Sequence, residues 1–208
     1  MKKIKLLLCL FMLTTLCGCS NSNKNESSKT LNAAMFWIST SLDPTNNYDG
    51  WVLSRIGVGE TLLKLNEKYE VEPNLAKSYE QIDDTTWKLT LKDHITFSNG
   101  NKVTGENVKA CLERAFEKNT RAIDYFDLNH VEADKQDVYL YLNKSSGAIL
   151  NNLCEPLFTI YDASQSEEDI AKHPLCTGPF VVDDFVSEKT IDTSKNKKYY
   201  DGKAKLDH

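Results

Sequence analysis

Several things are scarce in this chain of 208 residues, and each scarcity excludes a class of function. Histidines number four, and His94, His130, His173 and His208 lie far apart, so none makes a recognisable metal or catalytic pair. No GxSxG, HExxH or CxxC motif is present, so the common hydrolase, zinc-protease and paired-cysteine chemistries find no carrier. Asp83 and Asp84 sit in a turn-like stretch. The reading is therefore a non-enzyme with no cofactor and no resident metal. There is no basic cluster and no internal repeat, and an acidic surface argues against nucleic acid as a partner. The longest apolar run, LLLCLFMLTTL at 6–16, is too short to span a bilayer, which needs about 20 apolar residues.

That run has another use. Lys2, Lys3 and Lys5 precede it, and a basic segment followed by a short apolar one is an export signal. It ends in Leu16-Cys17-Gly18-Cys19, which resembles a bacterial lipobox, with Cys19 in the lipid-acceptor slot. Two acyl chains there give a stable anchor where one gives only marginal binding. Residues 19–30 are polar, cannot bury enough surface to fold, and read as a tether. Removing residues 1–18 takes three lysines and no acid, leaving 22 basic against 30 acidic side chains, formally −8. The expected location is the extracytoplasmic face of a cell membrane, held by lipid. Cys111, Cys154 and Cys176 remain. Cys111 reads as a small buried hydrophobe, and a Cys154–Cys176 disulfide stays open after export.

Along the chain, LNAAMFWI at 31–38 reads as a buried strand and STSLDPTNNYDG as a loop. WVLSRIGVGETLLKL at 51–65 has a helical pattern, with two glycines inside it. Trp87, Leu89 and Leu91 alternate with Lys88, Thr90 and Lys92 as a half-buried strand, with Ile95–Phe97 expected as its return partner. The best helix is 104–119. Thr104 is its N-cap, and Val108, Cys111, Leu112, Ala115 and Phe116 make one apolar face. VYLYL at 138–142 is a strand, 146–154 a short helix ended by Pro156, and 178–194 a strand pair. Helices and strands mix without regular βαβ alternation, as in α+β folds.

Six stretches together resemble the extracellular solute-binding proteins, family 5, of peptide and nickel ABC importers. They are Leu42-Asp43-Pro44, GETLL at 59–63, the run 72–100, GENV at 105–108, TGPF at 177–180 and NKKYYDG at 196–202. The resemblance implies an α/β architecture, the first lobe of a type II periplasmic-binding-protein-like fold. Residues 31–208 would form that lobe, with an α+β subdomain inserted at about 45–175, the chain stopping before the second lobe. The implied partners are a peptide or small-molecule ligand, such as chelated nickel, and the permease and ATPase subunits of an importer. The implied state is a monomer. Residues shortly after the LDP motif face the ligand in metal-chelate members, which nominates Asn47, Tyr48 and Trp51. A second patch follows the long helix, where Arg121 is placed to hold a carboxylate beside Tyr125. The competing role for Arg121 is a surface ion pair with Asp124 or Asp127. Nickel-type members often carry an arginine just past the proline matching Pro156, and Leu157–Ile160 has none. Two other readings use the same features: a surface lipoprotein for peptide sensing or adhesion, and the non-functional fragment of a split gene.

Overall fold

The computed structural model describes residues 28–35 and 39–208. The signal segment 1–18, Cys19 and the tether as far as residue 27 lie outside the described residues. The elements in chain order are α1 (Asp49–Arg55), β1 (Leu63–Leu65), β2 (Val71–Pro73), β3 (Ala76–Gln81), β4 (Thr86–Leu91), α2 (Gly105–Lys118) and α3 (Ala122–Tyr125). There follow β5 (Leu128–Asp134), β6 (Asp137–Leu142), α4 (Ile149–Asn152), a 3-10 turn at Pro156–Phe158, α5 (Glu167–Lys172), β7 (Phe180–Val186) and β8 (Thr190–Lys195).

The centre is a four-stranded antiparallel sheet in the order β3-β4-β6-β5. Alternation puts Leu89, Leu91, Val131, Val138 and Leu140 on one buried face. Helix α2 lies against that sheet and buries Val108, Cys111, Leu112 and Ala115, the face that its 3.6-residue period marks. Thr104 caps it as expected. Its hydroxyl accepts from Asn107 N–H, and Asn107 Oδ1 accepts from Thr104 N–H, so the box closes on Asn107. Phe116, Phe126 and Phe158 extend the core toward the end of α2, with centroid separations of 5.0, 5.9 and 5.1 Å.

Three expectations need correction. The helix over 51–65 is only Asp49–Arg55. Gly57 takes φ +69°, a left-handed conformation that ends the helix, and Leu63–Leu65 becomes β1, paired with β2. Ile95–Phe97 does not pair with β4, whose neighbours are β3 and β6. Instead Phe97 N–H bonds Asn101 O at 2.9 Å, around a tight turn at Gly100 with φ +95°. The buried strand at 31–38 is absent over 31–35, which are exposed; residues 36–38 lie outside the described residues. An apolar run becomes a strand only where a backbone edge receives it. Here Leu31 N–H makes a single 3.2 Å bond to His208 O.

Three of the quoted motifs converge on one carboxylate. Glu60 accepts from Thr177 Oγ1 at 2.8 Å and from Tyr199 and Tyr200 Oη at 3.3 Å each. Burial pushes the Glu60 carboxyl above its ordinary 4.5, and the bonds from Thr177, Tyr200 and Tyr199 offset only part of that rise. A raised carboxyl makes the folded state bind the proton more tightly than the unfolded chain. Its stabilising effect is then full below pH 4.5 and is lost as pH climbs through the folded value. Glu60→Gln should therefore gain melting temperature relative to the parent as pH rises from 4.5 toward neutrality. A gap that stays constant across that range, measured by calorimetry, would refute the shift.

The thiols are packing groups. Cys111, Cys154 and Cys176 are all free, and burial pushes Cys111 up to about 12 and raises Cys176 further. Cys111 Sγ donates to Tyr161 O at 3.2 Å.

Candidate functional site

The loop after the LDP motif is tied down from behind by α2. Arg114 makes two bonds to Asp43, Nη1 to Oδ1 at 2.8 Å and Nη2 to Oδ2 at 2.6 Å. Nη1 also donates to Thr45 Oγ1 at 2.7 Å and Tyr161 Oη at 3.0 Å. Burial works to raise the Asp43 carboxyl, but the bonds from Arg114 and Thr45 outweigh it and hold the group below its ordinary value. Asn119, the C-cap of α2, completes the tether. Its Nδ2 donates to Thr45 O at 3.1 Å and to Asn47 O at 3.2 Å. Its Oδ1 accepts from Arg121 N–H at 3.0 Å. Asn47 is held at φ +46°, a conformation that Asn tolerates better than most residues.

This geometry sets Tyr48 beside Arg121. The guanidinium lies 3.8 Å from the Tyr48 ring centroid, close stacking for a cation on an aromatic face. Arg121 Nη1 donates to Asn47 O at 2.9 Å and Nη2 to Tyr125 Oη at 2.9 Å. Helix α1 brings the last member. A Cβ at Gly50 would collide with Pro156 O, so only glycine lets α1 seat against the 156–158 turn. That seating puts Trp51 Nε1 2.6 Å from Glu155 Oε1, to which it donates. Glu155 Oε1 also stands 3.9 Å from Arg121 Nη2.

Of the five residues nominated from sequence, Asn47, Tyr48 and Tyr125 thus meet at Arg121, and Trp51 joins them through a sixth residue, Glu155. Asn47 takes part through its backbone carbonyl, while its side chain is exposed. Tyr48 is 57% exposed, so the cluster has an open side. Tyr125 leans edge-on against Phe158 at 5.7 Å, and burial raises its hydroxyl pKa, with the Glu155 charge adding to the rise. The ion partner of Arg121 is neither Asp124 nor Asp127. The salt bridge goes to Glu155, while Asp127 accepts from Asn143 at 2.8 Å and pairs with Lys144 at 3.5 Å. Glu155 escaped the sequence reading. Its one signal is a lone acid inside the apolar stretch LNNLCEPLFTI. Among the described residues no group of three His, Cys, Asp or Glu side chains gathers to hold a metal ion.

An arginine backed by aromatics, with an acid alongside, can hold a small polar solute through charge-assisted hydrogen bonds. Known proteins of similar sequence and structure agree with a solute-binding fold. The chain is 34% identical over 193 residues to the nickel-binding protein NikA of Staphylococcus aureus, covering 93% of this chain and 38% of that one. The structure of S. aureus NikA in complex with Ni(L-His)2 superposes with TM-score 0.81 at 33% identity, over 86% of this chain and 38% of that chain. A nickel ABC transporter protein of Bacillus halodurans superposes with TM-score 0.77 at 30% identity, covering 82% and 36%. A glutathione-binding protein GsiB of Escherichia coli is 28% identical over 155 residues, 70% of this chain and 30% of its own. The chain therefore spans about 38% of the length of the first of these relatives. The family model described as bacterial extracellular solute-binding proteins, family 5 Middle, matches residues 70–208. With two thirds of its length inside that match and mixed helix and sheet in the corresponding arrangement, the chain belongs to the family 5 bacterial extracellular solute-binding proteins.

Proposed function

We propose that the protein is the solute-binding component of an ABC importer and that the cluster around Glu155 is one wall of its solute site. The observation that carries this is the convergence of Asn47, Tyr48, Trp51, Arg121 and Tyr125, nominated from two separate stretches, into one partly open group. The arginine offers donors to a solute carboxylate, and the rings offer apolar flanks. The solute is a peptide or a chelated metal. The relatives support both directions, since one is named for nickel and was crystallised with nickel and histidine, and another is named for glutathione. Residues 31–208 supply the first lobe, with a subdomain at about 45–175 inserted into it. The partners are the permease and ATPase subunits, and the protein works as a monomer.

The protein is held at the extracytoplasmic face by a lipid on Cys19. The support is the lipobox-like Leu16-Cys17-Gly18-Cys19 after a basic and apolar start. Cys19→Ala should shift the protein out of the detergent phase or leave it unprocessed. Unchanged partitioning, with the same mass for the N-terminal peptide, would remove the anchor from the account.

Solute capture is tested by isothermal titration of the purified natural protein with a peptide pool and with nickel–histidine. Saturable binding of one of them is expected. No heat from either contradicts the reading.

A further inference from the structure

An aspartate or asparagine followed by glycine carries a reaction of its own. The backbone nitrogen of the glycine can attack the preceding side-chain carbonyl carbon, because the glycine has no Cβ to shield it. The attack needs two freedoms. The side chain has to swing onto the backbone, and the glycine N–H has to be free of a hydrogen bond. The sequence has three such steps, Asp49-Gly50, Asn99-Gly100 and Asp201-Gly202.

The fold locks two of them. Asp49 is buried, and each carboxylate oxygen has a donor, Ser39 Oγ at 2.8 Å on Oδ1 and Asn46 Nδ2 at 2.7 Å on Oδ2. Gly50 lies inside α1, with its backbone close against Pro156 O. Asn99 is held at both ends of its amide. Oδ1 accepts from Asn101 N–H at 2.9 Å, and Nδ2 donates to Asp162 Oδ2 at 3.0 Å. The attacking nitrogen is held as well, since Gly100 N–H donates to Phe97 O at 2.8 Å.

Asp201-Gly202 has neither lock. Both residues are exposed, and among the described residues neither the Asp201 carboxylate nor the Gly202 N–H makes a hydrogen bond. Gly202 takes φ +94°, and apart from its chain neighbours no atom lies within 4 Å of where a Cβ would stand. The open step lies between two fixed points. On one side Tyr200 Oη reaches Glu60 at 3.3 Å. On the other, Asp207 O accepts from Lys195 N–H at 3.0 Å, and Asp207 N–H donates to Lys29 O at 2.8 Å.

We propose that Asp201 is a site of spontaneous covalent modification, the one such step that the folded protein leaves reactive. Gly202 N bonds to Asp201 Cγ, and the amide proton leaves with the carboxyl hydroxyl as water. The product is a cyclic succinimide. Water then opens the ring at either carbonyl. Opening at Cγ restores aspartate. Opening at the backbone carbonyl leaves isoaspartate, whose main chain runs through Cγ and is longer by a methylene. Nothing is oxidised or reduced, and no cofactor takes part. The added length enters between the Glu60 anchor and the Asp207 pairing, so the stretch 202–206 has to buckle if both are to hold.

The test keeps the purified natural protein at neutral pH and physiological temperature, beside a sample unfolded in guanidinium chloride. Trypsin then releases the three steps on separate peptides, 30–55, 93–102 and 199–203. Electron-transfer fragmentation tells isoaspartate from aspartate, and deamidation of Asn99 shows as a gain in mass. A locked step reacts only through local opening, so Asp49 and Asn99 should react about tenfold or more slower in the folded protein than in the unfolded one. Asp201 should form isoaspartate at the same rate in both. Asp201→Ser, which has no carboxyl, should abolish the isoaspartate in 199–203 and leave the other two peptides unchanged. Protection of Asp201 as strong as that of Asp49 and Asn99 overturns the proposal. So does deamidation of folded Asn99 at its unfolded rate, or an absence of isoaspartate at Asp201 in both samples.

Discussion

Arg114→Ala is expected to lower the unfolding free energy by about 3–5 kcal/mol, the usual cost of leaving one half of a buried ion pair without its partner. For a chain of this size that is a fall of about 6–20 °C in melting temperature. The side chains of Arg114 and Asp43 are only 15% and 13% exposed, and the contact is bidentate. Removal also strips Thr45 Oγ1 and Tyr161 Oη of a donor. Replacing both partners, as Arg114→Met with Asp43→Asn, should cost much less than the single change, because no buried charge is then stranded. Acid should narrow the gap. Asp43 has a carboxyl held below its ordinary 3.8, so its stabilising contribution is present above that value and is lost as pH falls through the folded one. Chemical denaturation of the three proteins checks this. A single-variant loss below about 1 kcal/mol, the range of exposed pairs, would demote the contact to surface decoration.

The same change reaches the site. Arg114 and Asn119 both hold the loop that carries Asn47 and Tyr48, so solute affinity should fall along with stability. This is why the LDP motif matters although Asp43 is absent from the cluster itself.

Helix α2, strand β6 and the hairpin β7–β8 were legible in the sequence because their periodicity is local. Five apolar positions on one helical face, or a strict alternation as in VYLYL, need no knowledge of the rest of the fold. The errors have the opposite character. The pattern at 51–65 mixes positions that are apolar for two reasons, four on α1 and its end and others in β1, and Gly57 cuts between them. Ile95 and Phe97 are buried, as their type suggests, but the edge beside β4 was already taken by β6. For the site, the resemblance nominated Arg121, and chain proximity nominated Asp124 and Asp127 as its partners. The partner in the fold is Glu155, 34 residues further on, delivered by the turn at Pro156 and the close seat of Gly50. No local pattern announces a pairing made by two loops closing on each other.

Arg121→Ala should weaken solute binding about ten- to a hundredfold, the worth of a charge-assisted hydrogen bond to a carboxylate, at about 1.5–3 kcal/mol. Two side effects sharpen the expectation. Tyr48 loses the cation beneath its ring, and Glu155 keeps Trp51 as donor but loses its counter-charge. Affinity for anionic solutes should fall furthest, since Glu155 then repels them unopposed. Arg121→Lys should recover only part of the loss, because an ammonium cannot stack on Tyr48 or present a planar fork. Calorimetry showing equal affinity for the parent and Arg121→Ala would return Arg121 to a purely structural pairing with Glu155.

The two described tryptophans offer the most direct test that solute contacts the cluster around Glu155. Trp51 Nε1–H donates to Glu155, whereas Trp87 Nε1 is buried in the sheet without a hydrogen-bond partner. In the 15N-labelled natural protein, the indole resonance of Trp51 should shift progressively to saturation as solute is added, while that of Trp87 stays in place. A Trp51 resonance that does not move while calorimetry records saturated binding would contradict the account, because the solute would then be bound somewhere else.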